Sequence, residues 1–143
     1  MKSIKVFIVL IAFVAMCFTA KASQDQVITY DQLPQAAKEL LKKHFSNKVP
    51  LIVTMDWDDY TIIYESGEKV EFDKQGNWKE IECKRSIVPQ KLIPNQIKTH
   101  VKATFPEATI IGIDRNHLGY EVKLNNGLEI EYTLNFEMVS IDD

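Results

Sequence analysis

Cysteine is almost missing from this chain: Cys17 and Cys83 are its only two. Missing too are clustered lysines and arginines, an apolar run of bilayer length, and the short patterns that announce catalysis. There is no G-x-S-x-G, no H-E-x-x-H, no cysteine beside a plausible histidine motif and no glycine-rich phosphate loop. An enzyme needs a nucleophile, a base and oxyanion donors converging on one pocket, and this sequence names none of them. A net-acidic chain is also a poor match for nucleic acid, which rewards clustered positive charge.

What is present begins with an address. Met1 to Lys5 carry two lysines, Val6 to Phe18 is almost unbroken apolar sequence, and Ala20-Lys21-Ala22 supplies small residues at the −3 and −1 positions of a cleavage site. This is the three-part pattern of a secretory signal peptide, expected to be cut before Ser23. A membrane anchor is the competing reading, but the run is about 13 residues, short of the roughly 20 a spanning helix needs. Lipid attachment at Cys17 is disfavoured by Met16, since lipoprotein signals want a small residue there. Residues 1–22 are set aside as signal, and residues 23–143 are expected to form a single domain in the periplasm or outside the cell. Cleavage removes Lys2, Lys5 and Lys21 and no acid, so the formal net charge moves from −3 to −6. Cys83 is then the single cysteine, which excludes a disulfide-framed scaffold and reads as a small buried strand residue.

The remaining chain is one unit written twice. At an offset of 60, Pro34 falls on Pro94, Lys38 on Lys98, Phe45 on Phe105, Tyr60 on Tyr120, Gly67 on Gly127 and Glu71 on Glu131. Apolar character matches at Leu33/Ile93, Leu41/Val101, Val53/Ile113, Ile62/Val122 and Val70/Ile130. Identities at proline, glycine and aromatic positions with one fixed spacing mark an internal repeat. The two copies span about 28–84 and 88–143.

Each copy opens with a helix. Leu33, Ala37, Leu40, Leu41 and Phe45 keep the i, i+3, i+4 rhythm of an apolar face. Pro34 and Pro94 sit in the first turn, where a missing N–H costs least, and Asp31 is placed to accept from the free amides. In the second copy Gln96 and His100 replace Ala36 and Leu40. Strands are predicted at residues 51–57, 60–65, 69–73 and 78–83, then at 109–115, 119–125, 128–134 and 137–141. Asn126-Gly127 and Ser66-Gly67 signal hairpins. "DKQG" (73–76) makes a further turn, whereas its counterpart "TLNF" (133–136) has no glycine and must be longer or built on Asn135. The order αββββ, twice, predicts an α+β layer pair: two helices on one face of a curved antiparallel sheet of about eight strands.

A signal peptide, two Leu/Ile-Pro helices ending in Phe, and "EFDKQGNW" from Glu71 to Trp78 together resemble the exported PepSY-like family, also described as putative β-lactamase-inhibitor-like. The resemblance covers nearly all of the mature chain. It implies the tandem αββββ fold and, by analogy with inhibitors that share it, a sheet surface that grips a protein.

Candidate sites follow from the remaining unusual residues. His44, His100 and His117 occupy non-equivalent positions and read as surface or boundary histidines; no metal and no cofactor is expected. "DWDDY" (56–60) gathers three carboxylates without the spacing or distal Glu of a calcium loop, so turn chemistry explains it first. Strand alternation puts Tyr60, Ile62 and Tyr64 on one face and Thr61, Ile63 and Glu65 on the other. Two short helices cover only part of the sheet, so one face is expected to stay partly open. The candidate binding residues are Trp57, Asp58, Asp59, Tyr60, Tyr64 and Trp78, with the aromatics as anchors on that open face and "DWDDY", Glu68, Glu71 and Glu80 as an acidic rim favouring a basic partner.

The expected function is therefore a non-catalytic exported binding protein that docks a protein partner, such as a peptidase or another envelope enzyme. The alternative is a small-ligand or metal-responsive envelope sensor with a pocket between helices and sheet near Gln96 and His100. No nucleic-acid partner and no membrane span after cleavage are expected. The outer sheet edges leave pairing between chains open.

Overall fold

The computed structural model describes residues 25–143; the expected signal peptide, with Cys17, lies outside them. Besides two 3-10 turns (Tyr30–Gln32 and Gln90–Leu92), nine strands and two α-helices follow in order: β1 (Gln26–Ile28), α1 (Gln35–His44), β2 (Pro50–Met55), β3 (Asp59–Tyr64), β4 (Lys69–Asp73), β5 (Trp78–Glu82), α2 (Asn95–Thr104), β6 (Ile110–Arg115), β7 (Gly119–Leu124), β8 (Glu129–Thr133) and β9 (Met138–Asp142). The strands form one nine-stranded sheet in sequence order, and every neighbouring pair is antiparallel. The eight predicted strands are all there; β1 is the addition, a three-residue edge too short and too little patterned to announce itself.

The repeat is visible in the hydrogen-bond ladder as well as in the side chains. β2 and β6 each carry an irregularity at matching places, Pro50/Ile52 and Ile110/Gly112. β5 and β9 each carry one against the preceding strand, where Lys79 and Val139 are the extra residues opposite Glu71/Phe72 and Glu131/Tyr132. Bulges bend the strand that holds them and increase its twist, so equivalent bulges curve both halves alike. The halves join where β5 pairs with β6, through Glu80 opposite Asp114, Ile81 opposite Ile113 and Glu82 opposite Gly112.

Both helices pack on the same face. Ala37 and Leu41 of α1 and Ile97 and Val101 of α2 are buried in one cluster with Ile62, Val70, Phe72, Ile81, Ile113, Val122 and Ile130. Pro34 and Pro94 sit one residue before their helices, at the N-cap, with extended backbone. Asp31 does not cap α1, which corrects the expectation: it lies in a short 3-10 turn, and its carbonyl accepts from Lys38 Nζ at 3.3 Å. Gln32 instead accepts from the Thr29 amide at 2.8 Å and holds that turn closed.

Gly76 and its counterpart Phe136 solve one turn in two ways. A Cβ on Gly76 would lie 2.9 Å from Pro34 Cβ and from the Ala37 amide nitrogen, and the residue has φ +87°, so α1 sits directly on the turn. In the second half Phe136 itself takes φ +65°, and its ring packs 5.4 Å from that of Tyr120. The "TLNF" turn therefore keeps the four-residue length of its partner and is built on Phe136 rather than Asn135. Left-handed backbone disfavours a side chain by about 1–2 kcal/mol, and here it comes with a ring contact to Tyr120.

Candidate functional site

The face away from the helices is built by register. Thr54 lies opposite Thr61, Thr61 opposite Glu71, and Glu71 opposite Glu80. The row then crosses into the second half: Glu80 opposite Asp114, Asp114 opposite Glu121, Glu121 opposite Glu131, and Glu131 opposite Ser140. Five carboxylates thus stand side by side across β4 to β8. The adjacent row carries Lys69, Glu82, Gly112, Lys123, Glu129 and Asp142. Across both rows eight carboxylates face two lysines.

Like charges directly opposite on a sheet destabilise it, and the three middle carboxyls of the row are raised, first by burial and then by neighbouring acids. Glu80 is pushed up to about 7 by burial and by the charge of Asp114, although Lys69 pulls the other way. Asp114 is raised chiefly by burial, with Glu71 and Glu82 adding to it, and Glu121 by burial and by Glu129 and Asp114. Lys69 bridges Glu71 and Glu80 at 3.2 Å each, and Lys123 reaches Glu129 only at 3.9 Å. The second half of the row is left with little local compensation. These residues share the alternation of Thr61, so pairing the predicted strands in register would have found them.

The expected aromatic anchors do not line this face. Tyr64 is 2 % exposed and Trp78 7 %, both in the core under the helices. The bulge at Glu71/Phe72 sets Trp78 opposite Phe72 on the helix side. There Arg115 stacks over the indole, with its Cζ 4.0 Å from the ring centroid, and its Nε donates to the Trp78 carbonyl. Tyr60 is half-buried against the same core. Trp57 is 68 % exposed at the β2–β3 turn. Around it the three aspartates separate rather than converge: Asp56 accepts from the Trp57 amide, Asp58 pairs with Lys74 at 2.8 Å, and Asp59 pairs with Lys79 at 2.7 Å.

Glu68 is the residue whose surroundings sequence reasoning missed. Expected on an acidic rim, it is 2 % exposed, the one charged residue buried among those described. Its Oε1 accepts from Lys48 Nζ at 2.8 Å and from Ser86 Oγ at 2.9 Å, and its Oε2 accepts from Ser66 Oγ. Burial alone would raise this carboxyl, but these donors, together with its own backbone amide, hold it down at about 2. The side chain ties the β3–β4 turn, the loop after α1 and the linker between the halves into one network. Cys83, beside Ser86, is fully buried and its thiol is pushed up to about 11, first by burial.

The pocket anticipated near Gln96 and His100 is not where the grooves lie. His100 Nδ1 is 2.8 Å from the Tyr132 hydroxyl, so the half-buried ring is already paired with a core residue. One open groove of about 820 Å³ runs along α1, lined by Tyr30, Lys38, Lys42, Phe45 and Tyr64. Another of about 470 Å³ passes Lys98, Thr99 and Lys102 on α2. No helix among the described residues is long and apolar enough to cross a membrane.

Fold and face together define a class: a duplicated helix-and-meander unit whose sheet is covered on one side and charged on the other. The profile of the family described as putative beta-lactamase-inhibitor-like, PepSY-like, matches residues 19–62 and 58–140, and the chain belongs to that family. Two segments of the chain match that one profile, as an internal repeat would, although they meet within β3 rather than between the halves. Among solved structures, one described as a putative periplasmic protein from Bacteroides vulgatus is 40 % identical, with TM-score 0.82, covering 85 % of this chain and 99 % of its own. A second, described as a putative calcium-regulated periplasmic protein from Bacteroides thetaiotaomicron, is 39 % identical with TM-score 0.81, covering 83 % and 97 %. A third, described as a putative periplasmic protein of unknown function from Bacteroides vulgatus, is 32 % identical with TM-score 0.80, covering 84 % and 100 %. No curated protein matches.

Proposed function

We propose that this chain is a periplasmic binding protein without catalytic activity, which docks a basic protein surface on the open face of its sheet. The observation that carries the reading is the in-register row of Glu71, Glu80, Asp114, Glu121 and Glu131. Arranging five carboxylates this way raises the energy of the free protein. Lysines and arginines of a partner would neutralise the row and recover that energy on binding. A concentrated negative field also speeds encounter with a basic partner, an effect that weakens with salt. Sheet backbone holds the carboxylates more rigidly than a loop would, which lowers the entropy lost on docking. The inhibitor-like description of the family supports a protein as the partner. At the margin of the face, Trp57, with Asp58 and Asp59 beside it, supplies an aromatic contact of the kind that dominates protein interfaces.

The test is affinity capture from the periplasmic fraction of the producing cell. The mature chain serves as one bait and the Glu80→Gln, Asp114→Asn, Glu121→Gln triple variant as the other. A protein held by the first bait, lost with the second and released by salt supports the reading. Equal capture by both baits would move the site off the open face. No capture by either, at micromolar bait, would contradict protein docking and return the small-ligand sensor to first place.

A further inference from the structure

The two outer edges of this sheet are chemically unlike the rest of its surface. Eleven large hydrophobic side chains are exposed among the described residues, and nine of them belong to the two ends of the molecule. Val27, Val49, Leu51 and Ile52 lie on or beside β1 and β2. Leu118, Leu134, Met138, Val139 and Ile141 lie on β9 and the turns next to it. The second group replaces charge with hydrocarbon. The first half has the ion pairs Asp58–Lys74 and Asp59–Lys79, whereas the second has Leu118 with Leu134 and Gly119 with Val139 at the same places. An edge strand with no lysine or proline, flanked by exposed apolar residues, is not protected against pairing.

The internal repeat says what such an edge accepts. β9 is the counterpart of β5, and the free edge of β5 receives β6 inside this chain. Ile81, paired with Ile113 in that seam and set in the core with both helices, is 0 % exposed, while its counterpart Ile141 on the unpaired edge is 40 % exposed. The counterpart of β6 is β2, which stands at the far end of the same open sheet and cannot reach its own β9. β2 is capped by β1 alone, over three residue pairs, with Val27 opposite Thr54 and Ile28 opposite Val53.

We propose that β9 of one molecule pairs with β2 of a second copy of this chain, displacing β1 and repeating the β5–β6 seam head to tail. The expected register follows from the internal one: Ser140 opposite Thr54, Ile141 opposite Val53 and Asp142 opposite Ile52. The intermolecular seam is chemically better than the internal seam it copies. Where Glu80 faces Asp114 inside the chain, two hydroxyl residues would face each other, and Ser/Thr pairs of this kind stabilise a sheet. The second half also shows that a helix leading into the receiving strand is no obstacle. Val88, the counterpart of Ile28, still bonds the Ile110 carbonyl while β5 occupies the rest of the β6 edge. A head-to-tail contact of this type need not close, so assemblies longer than a dimer are expected at high concentration. The seam uses only the ends of the open-face rows, Thr54, Ser140 and Asp142, and leaves Glu71, Glu80, Asp114, Glu121 and Glu131 uncovered, so this inference stands apart from the docking of a basic partner.

The test is disulfide trapping with the mature protein. Thr54→Cys and Ser140→Cys are made in separate chains, mixed, and oxidised; Cys83 is buried and does not compete. Directly opposed residues of an antiparallel pair lie about 4.5–5.5 Å apart at Cα, within reach of a disulfide. A cross-linked dimer that needs both variants, and that is lost when the Ser140→Cys chain also carries Ile141→Lys, is the expected result. Cross-linking of the Ser140→Cys chain with itself as readily as in the mixture would overturn the proposal in favour of β9–β9 pairing. A mixture that stays uncross-linked, with the parent protein sedimenting as a monomer at every concentration, would overturn it as well.

Discussion

His100 Nδ1 lies 2.8 Å from the Tyr132 hydroxyl, and the two rings meet edge to face at 84°. In the first half the same two positions hold Leu40 and Phe72, which have nothing to hydrogen-bond. The second half has thus gained a polar pair at the margin of the core, where the first half has hydrocarbon. Burial pushes the Tyr132 hydroxyl up to about 12, so it remains a neutral hydrogen-bonding group throughout the ordinary pH range.

Replacing one partner should cost more than replacing both. His100→Leu leaves the Tyr132 hydroxyl without its partner and is expected to destabilise by about 1–2 kcal/mol. The double variant His100→Leu, Tyr132→Phe rebuilds the pairing of the first half and is expected to recover most of that loss. Urea unfolding of both single variants and the double gives the coupling energy directly. Strict additivity would contradict the pairing.

Glu68 should govern acid stability. Its folded carboxyl is held at about 2 against an ordinary 4.5. A depressed carboxyl stabilises the fold above its ordinary value and loses that contribution as pH falls from about 4.5 toward 2. Glu68→Gln is expected to cost about 2–4 kcal/mol at pH 7, because Lys48 then lacks its countercharge. It should also flatten the stability profile in that acid window, as read by thermal melts across pH.

Glu80 should behave in the opposite sense. Its folded carboxyl stands at about 7, so the folded state holds a proton that the unfolded state has released between about pH 4.5 and 7. Stability therefore falls as pH rises through that window. Glu80→Gln keeps an acceptor for Lys69 and removes the charge facing Asp114. It is expected to gain about 1–2 kcal/mol above pH 7 and to change little at pH 4.5.

Gly76→Ala should be among the costliest small substitutions. The added methyl would meet Pro34 and the backbone of Ala37 at 2.9 Å, with the backbone already at φ +87°. A loss of roughly 2–4 kcal/mol is expected from overpacking and left-handed strain together. Gly67→Ala, with nothing within 4 Å of the new Cβ, should lose only the strain contribution. Comparing their denaturation midpoints separates the two effects.

The fold was largely legible because duplication wrote it twice: Pro34/Pro94, Phe45/Phe105 and Gly67/Gly127 aligned the halves without gaps, and strand periodicity supplied the rest. Turn chemistry carried less. Nothing in "TLNF" announces that Phe136 takes the left-handed backbone of Gly76, or that its ring then meets Tyr120, which is 16 residues away in the chain. The candidate face was half legible. Alternation separated Thr61 from Tyr60 and Tyr64 correctly, but the bulge after Glu71 set Trp78 under the helices by a shift that residue types do not reveal. Glu68 looked like a hairpin surface residue because its partners Lys48 and Ser86 lie 20 and 18 residues away. Only the folded chain brings them together.

The central claim is that a partner sits on the carboxylate row. Carboxyl-specific chemical footprinting of the mature protein, with and without the captured partner, tests it most directly. Glu71, Glu80, Asp114, Glu121 and Glu131 are expected to lose reactivity together on binding, with Glu39 on the helix side unchanged. Protection of Glu39 and the α1 groove, with the row still fully reactive, would contradict it.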